Sequence, residues 1–263
     1  MFTFYKYEMK SGLKSFLIWV LAVGGMGLAC ILLFKSMEES MAGMAQSFSS
    51  MGGFAQAFGM DILSVATITG FFATEVGTVH ALGSSMYAAS AAATILSKEE
   101  DGHTAEFTYT LPLVRNKITV SKYLALVSQL VLFAIVCGAL YEIGFLIIGD
   151  SIDFSKMVEY LASQLFMNIE IATICFAVSA FCKKNKIGVG IGIAMMLYFY
   201  DLILRAVSDF KDYLFVTPFS YANAAEIFSG MDKNVLAICV GAVVIVACMV
   251  LGTVYYSKKD LAS

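Results

Sequence analysis

Six apolar runs, each of 18 residues or more, divide this chain into long hydrophobic stretches joined by shorter polar ones. They lie at about 16–34, 68–96, 123–148, 157–182, 187–204 and 235–256. Each is long enough to cross roughly 30 Å of hydrocarbon as a helix. A backbone in a bilayer must satisfy its own hydrogen bonds, so runs of this length are expected as α-helices. The composition agrees, with 59% of residues hydrophobic and 14% charged, against about 25% charged in soluble domains. A soluble fold of 263 residues could not hide so much apolar surface. The expected fold is an all-α polytopic membrane protein with six transmembrane helices in a single domain. The first run is longer than a signal-peptide core and lacks a small-x-small cleavage site, so it is expected to be retained.

Six crossings place both termini on one side, and the distribution of lysine and arginine says which. On the side of the termini lie Lys6, Lys10, Lys14, Lys98, Arg115, Lys117, Lys122, Lys183, Lys184, Lys186, Lys258 and Lys259; on the other, only Lys35, Lys156, Arg205, Lys211 and Lys233. The positive-inside rule assigns both termini to the cytoplasm. In residues 1–15, lysines recur every four positions among Phe2, Phe4, Tyr5 and Tyr7, the pattern of an interfacial helix on the cytoplasmic leaflet. The Met-, Gly- and Ser-rich residues 35–64 suit a short amphipathic helix on the outer surface. Residues 205–234 form a long outer segment.

Several chemistries have no residues to carry them. There is no G-x-x-x-x-G-K-[ST], so no nucleotide is held through a phosphate-binding loop. Gly188 and Gly192 stand at GxxxG spacing, and Gly25 precedes Ala29 by four, both read as helix-packing positions. His80 and His103 lie on different segments without metal-ligand spacing, so no metal is expected. The six cysteines sit in or beside apolar runs and read as small core residues. Neither a catalytic constellation nor a nucleic-acid-binding pattern is present. The remaining polar candidates lie inside the spans: Glu75, His80, Glu142, Gln164, Asn168, Glu170 and Asp201. An ionised carboxylate at the bilayer centre costs roughly 2.5–3.5 kcal/mol on insertion scales, so these acids should face protein or water. They are open to two readings, a polar transport pathway or latch on one hand and interhelical hydrogen bonding or snorkelling on the other.

The most polar continuous stretch, Ile95–Ala125, falls between the second and third runs. Acidic Glu99, Glu100 and Asp101 come first, and Gly102 breaks the helix. Residues 103–111 are long enough for two further turns, with Phe107 and Leu111 on one face. Pro112 ends them, and Arg115, Lys117 and Lys122 follow. A short amphipathic helix between two spans can dock in a groove of a soluble partner or lie on lipid.

This stretch resembles the signature of ABC-2-type transporter permeases, with Glu99, Glu100, Gly102, Thr104, Glu106, Leu111, Pro112, Arg115 and Lys122 as the matching positions. His103 is inserted between the glycine and the threonine, and Phe107-Thr108 stands where two leucines are common. A second segment, Thr217-Pro218-Phe219-Ser220-Tyr221-Ala222-Asn223, is similar to the family's outer Pro-Phe-x-Tyr segment. The resemblance implies a coupling helix, formed around Glu106, Phe107 and Leu111, that docks a separate ATPase subunit. It also implies re-entrant outer helices at Pro218, Phe219 and Tyr221, and pairing with a second permease copy or paralogue. ATP and Mg would then sit on the partner, with no cofactor on this chain. The substrate would be amphipathic peptides, drugs or ions expelled across a bacterial inner membrane. A membrane scaffold or signalling partner without transport is the alternative from another class.

Overall fold

The computed structural model describes residues 2–103 and 115–259, which form helices joined by turns, with no strand among them. Helix α1 (Phe2–Trp19) runs through a π-helical turn (Val20–Gly24) into α2 (Gly25–Ser49). A short α3 (Gly53–Phe58) follows. Helix α4 (Ile68–Phe71), a second π-turn (Phe72–Val76) and α5 (Gly77–Thr94) form one continuous rod. A single turn, α6 (Lys98–Asp101), precedes α7 (Arg115–Ile148), α8 (Phe154–Phe181) and α9 (Ile187–Ala206). Two 3₁₀ segments (Ser208–Val216 and Ser220–Ala222), α10 (Ala224–Ser229) and α11 (Val235–Lys258) complete the described chain.

Among the described residues, five helices are long and apolar enough to cross a membrane: Phe2–Ser49, Arg115–Ile148, Phe154–Phe181, Ile187–Ala206 and Val235–Lys258. The expected second span, 68–96, is not among them, although its rod is about 40 Å long at 1.5 Å per residue. Its composition explains this. Ser84, Ser85, Ala88, Ala89, Ala92 and Ala93 are buried against other helices, so small residues of low hydropathy fill this rod where larger apolar ones fill the other spans. Small residues there permit close backbone approach at the expense of hydropathy.

Helices α5 and α8 form the central pair, with α9 on α5, α11 on α8, and α7 between α8 and the α1–α2 helix. Phe72, fully enclosed, is ringed at 5.5–5.9 Å by Tyr141, Phe145, Tyr160 and Phe228. The first helix departs from expectation at both ends. No break separates residues 2–15 from the following run, so they are not a separate element; of the stretch 35–64, expected to hold a short helix, 35–49 extends the first helix and Gly53–Phe58 forms the short one. Physically, Gly12 does not interrupt the helix because it packs against Gln129 of α7, and Glu8 is anchored among charges described below. At about 72 Å, this helix of 48 residues far exceeds the hydrocarbon thickness.

The packing glycines are shifted from the spacing-based expectation. Gly188 and Gly192 have nothing within 4 Å of a would-be Cβ, whereas one on Gly190 would lie 2.6 Å from the Ala89 carbonyl oxygen. On the first helix, Gly24 and Gly27 meet α7, while Gly25 meets only its own helix. Gly190→Ala is therefore expected to destabilise the purified protein by about 1–3 kcal/mol through overpacking. Gly188→Ala and Gly192→Ala should leave the thermal midpoint in detergent unchanged or raise it, since alanine favours helix by about 1 kcal/mol.

Candidate functional site

The end of the bundle that carries the termini is held by buried charge. Lys122, in the second turn-pair of α7, is 0% exposed. Its ammonium donates to the carbonyl oxygen of Ile95 at 2.7 Å, pairs with Glu99, and lies 3.5 Å from Glu8. Lys98 pairs with the other Glu8 oxygen. Lys259, just beyond α11, donates to Glu100 at 2.9 Å and to the carbonyl oxygen of Cys182 at 2.8 Å. Three carboxylates thus meet three ammonium groups drawn from α1, α6, α7 and the end of α11.

The same place ends α5. A helix leaves its last carbonyls unpaired, and cations there also oppose the helix dipole. Lys122 takes the carbonyl of Ile95, and the Tyr256 hydroxyl takes that of Leu96 at 2.9 Å. The Leu96 amide donates to Ser179 of α8 at 3.1 Å. Gln129 donates to the Glu8 carbonyl at 3.2 Å, pinning α1 to α7. The short α6 turn is therefore clamped from four sides.

This geometry changes what the acidic motif can do. Glu99 and Glu100 were expected to face a partner; both are buried and ion-paired inside the chain. Gly102 is exposed but keeps an ordinary φ of −85, and the left-handed residue is His103, at φ 52. Arg115 donates to the carbonyl oxygen of Lys259 at 2.8 Å, tying the start of α7 to the chain's last described residue. Thr104, Glu106, Phe107, Leu111 and Pro112 lie outside the described residues. A cleft of about 350 Å³ opens beside the clamp, between α1, α5, α7 and α9, with Glu8, Lys98, Gln129, Trp19, Tyr87 and Ile187 on its walls.

Toward the opposite end, the polar residues of the spans are mostly joined to one another. The His80 ring and the Tyr141 hydroxyl share a 2.8 Å hydrogen bond. Asn168 donates to Ser84 at 3.0 Å, linking α8 to α5. Gln164 donates to the Ala222 carbonyl at 2.8 Å, and the Tyr221 hydroxyl donates to Glu170 at 2.7 Å. Thr217, Pro218, Phe219, Ser220 and Tyr221 are buried, so the outer segment is a strap folded onto α8 and α9. Arg205 completes the clasp. It donates to Asp201 at 2.7 Å, pairs with Glu226, and lies 3.3 Å from the Ser220 carbonyl. Glu142 is half-buried, one of its oxygens enclosed without a hydrogen-bond partner among the described residues. Glu75 differs from all of these. It is exposed on the π-turn between buried Thr74 and Val76.

Sequence reasoning passed over Glu8, the burial of Lys122, and Lys259. One signal was present, because Glu8 is the only acid in residues 1–15, amid three lysines. Arg205 was assigned to the outer loop, although Asp201 four residues earlier places the pair on one helical face.

A bundle with five bilayer-length apolar helices among its described residues, tied at one end by an ionic clamp and at the other by a folded strap, is an integral membrane protein of the polytopic helical class. A family model described as ABC-2 family transporter protein matches residues 3–261, nearly the whole chain. The chain belongs to the ABC-2 transporter family and is a membrane permease component, not the catalytic one. No curated protein matches it.

Removing one partner of the clamp strands buried charge. Lys122→Met should destabilise the protein by about 3–5 kcal/mol, seen as loss of folded material in detergent. Adding Glu99→Gln to that variant should recover part of the loss; if the double variant is worse than the single one, the pair is not the source.

Proposed function

We propose that this chain is the six-span permease of an ATP-driven exporter. It crosses the membrane at 68–94 as well as through the five more apolar helices, and its termini are cytoplasmic. It pairs with a second permease, identical or related, and with an ATPase on separate chains that carries ATP and Mg. The sequence stretch that would dock the ATPase, including Glu106, Phe107 and Leu111, comes directly after the clamped α6 turn. The clamp is the observation that carries this reading. It joins the turn entering the coupling segment to α1, α7, α8 and the end of α11 at once, so displacement of that segment reaches several spans together. Gly188 and Gly192, open on the surface of the single chain, are suited to a neighbouring helix from another subunit.

The two roles considered for the intramembrane polar groups divide between residues. Gln164, Asn168, Glu170 and His80 act as a latch holding the strap and α5 on α8, since each is bonded within the chain. Glu75 acts on the pathway, since it alone of these acids is exposed. An exposed carboxylate at span depth favours cationic amphipathic substrates, which offset its desolvation. The cleft beside the clamp, with both polar groups and the apolar Trp19, Leu126 and Ile187 on its walls, suits their entry. The strap around Pro218, Phe219 and Tyr221 is the re-entrant outer gate.

Two experiments test this. Glu106→Lys and Phe107→Asp should each weaken co-purification of the ATPase by about 30-fold, as loss of an interface anchor does, and abolish vesicle-linked ATP turnover. Retention of both properties overturns the docking and leaves the scaffold alternative. Separately, Glu75→Gln should lower export with an unchanged thermal midpoint, while Tyr221→Phe should lower the midpoint by removing a buried hydrogen bond, worth about 1–3 kcal/mol where the carboxyl is left unsatisfied. Unchanged export in Glu75→Gln overturns the pathway assignment.

A further inference from the structure

A second open groove lies at the terminal end, walled by helices other than those that line the cleft beside the clamp. It occupies about 640 Å³ between the end of α8 and the last turns of α11. One end is apolar, with Val250, Leu251 and Val254 exposed on α11. The Phe181 and Tyr255 rings stand together at its middle, 4.1 Å between centroids. Its other end carries Lys183, Lys258 and Lys259. Lys259 is committed inward to Glu100 and Cys182. Lys183 and Lys258 are exposed and make no ion pair with any described residue.

We infer that this groove binds one anionic phospholipid, its phosphate between Lys183 and Lys258 and an acyl chain along Val250, Leu251 and Val254. The order of chemistry along the groove is that of a lipid, charge at the helix end and hydrocarbon two turns deeper. Cation pairs at a helix end attract anionic headgroups, and the aromatic pair stands at the level where ring side chains favour the interface. A free phosphate would use only the basic end. A soluble partner cannot follow α11 into hydrocarbon, where its valines face outward along most of their length. The groove also has a route into the clamp, because Lys259 forms part of its wall while its ammonium holds Glu100. This inference is independent of whether the chain exports anything.

Native mass spectrometry of the purified full chain in a neutral detergent tests it, with phosphatidylglycerol and phosphatidylcholine offered together. One phosphatidylglycerol per chain should be retained in preference to phosphatidylcholine. The Lys183→Gln/Lys258→Gln variant should bind it about 25-fold more weakly, a factor of roughly five for each lysine near an anionic lipid. Both lysines are exposed, so its lipid-free thermal midpoint should match that of the unmodified chain. Val254→Trp, which fills the apolar end without touching charge, should also weaken retention, and Lys6→Gln/Lys10→Gln should not. Equal retention of the two lipids, wild-type affinity in the double lysine variant, or displacement by inorganic phosphate at matching concentration would overturn the assignment. So would phosphatidylglycerol binding only to monomer and not to dimer, which would make the groove a subunit contact.

Discussion

A lysine ammonium with no exposure to solvent, one turn-pair into an apolar helix, is the constraint on which the rest of this bundle depends. Such a group is tolerated only when its charge and hydrogen-bonding capacity are met by the protein. Lys122 meets this requirement by drawing on three elements: the carbonyl end of α5 at Ile95, the α6 turn through Glu99, and α1 through Glu8. Each contact carries a structural consequence. The first caps the carbonyl end of α5, the second ties the α6 turn to α7, and the third holds the N-terminal turns against α7. Residues 2–15 have the amphipathic pattern of an interfacial helix, and the buried charges pack them against α7.

The other end is organised by the same rule with different residues. Arg205 is enclosed with Asp201 and Glu226 and so fastens the strap to α9, while Glu170 and Gln164 fasten it to α8. Helix α8 takes part at both ends, through Ser179 near the clamp and through Glu170 near the strap, with Asn168 bonded to α5 between them. Polar ties of this kind specify register more than they add stability, because each is set against an equally bonded alternative. The close approach of α5 to α8 and α9 comes from alanine, serine and Gly190, where dispersion contacts replace the hydrophobic effect that lipid cannot supply.

How much of this was legible in the sequence depends on what each signal measures. Hydropathy measures the share of large apolar side chains, so α7, α8, α9 and α11 were readable, and 68–94 carried a weaker signal because alanine, serine and glycine take their place there. GxxxG spacing measures a face, not a partner. Gly188 and Gly192 share a face, but it is Gly190 that meets α5. The acids at 99 and 100 were visible as a cluster, yet nothing local announced that Glu8 lies near the same lysine, over a hundred positions from it in the chain. Long-range charge pairing leaves no periodicity. Only the isolation of Glu8 among lysines hinted that it has a buried task.

The inward turn of Glu99 and Glu100 bears on how such a motif works. A carboxylate that pairs with Lys122 or Lys259 inside the chain contributes nothing to a partner's surface while the clamp is closed. In the proposed coupling, its effect would pass through the position of α6. Rigid-body movement of α6 would require Lys122 and Lys259 to move with it, and these belong to α7 and to the end of α11. In the proposed coupling, the clamp would convert a displacement of one short turn into a shared displacement of helices. A loose pair at this position would let the turn move alone. Enclosing the ions makes separation costly and so makes the turn and the helices a single mechanical unit.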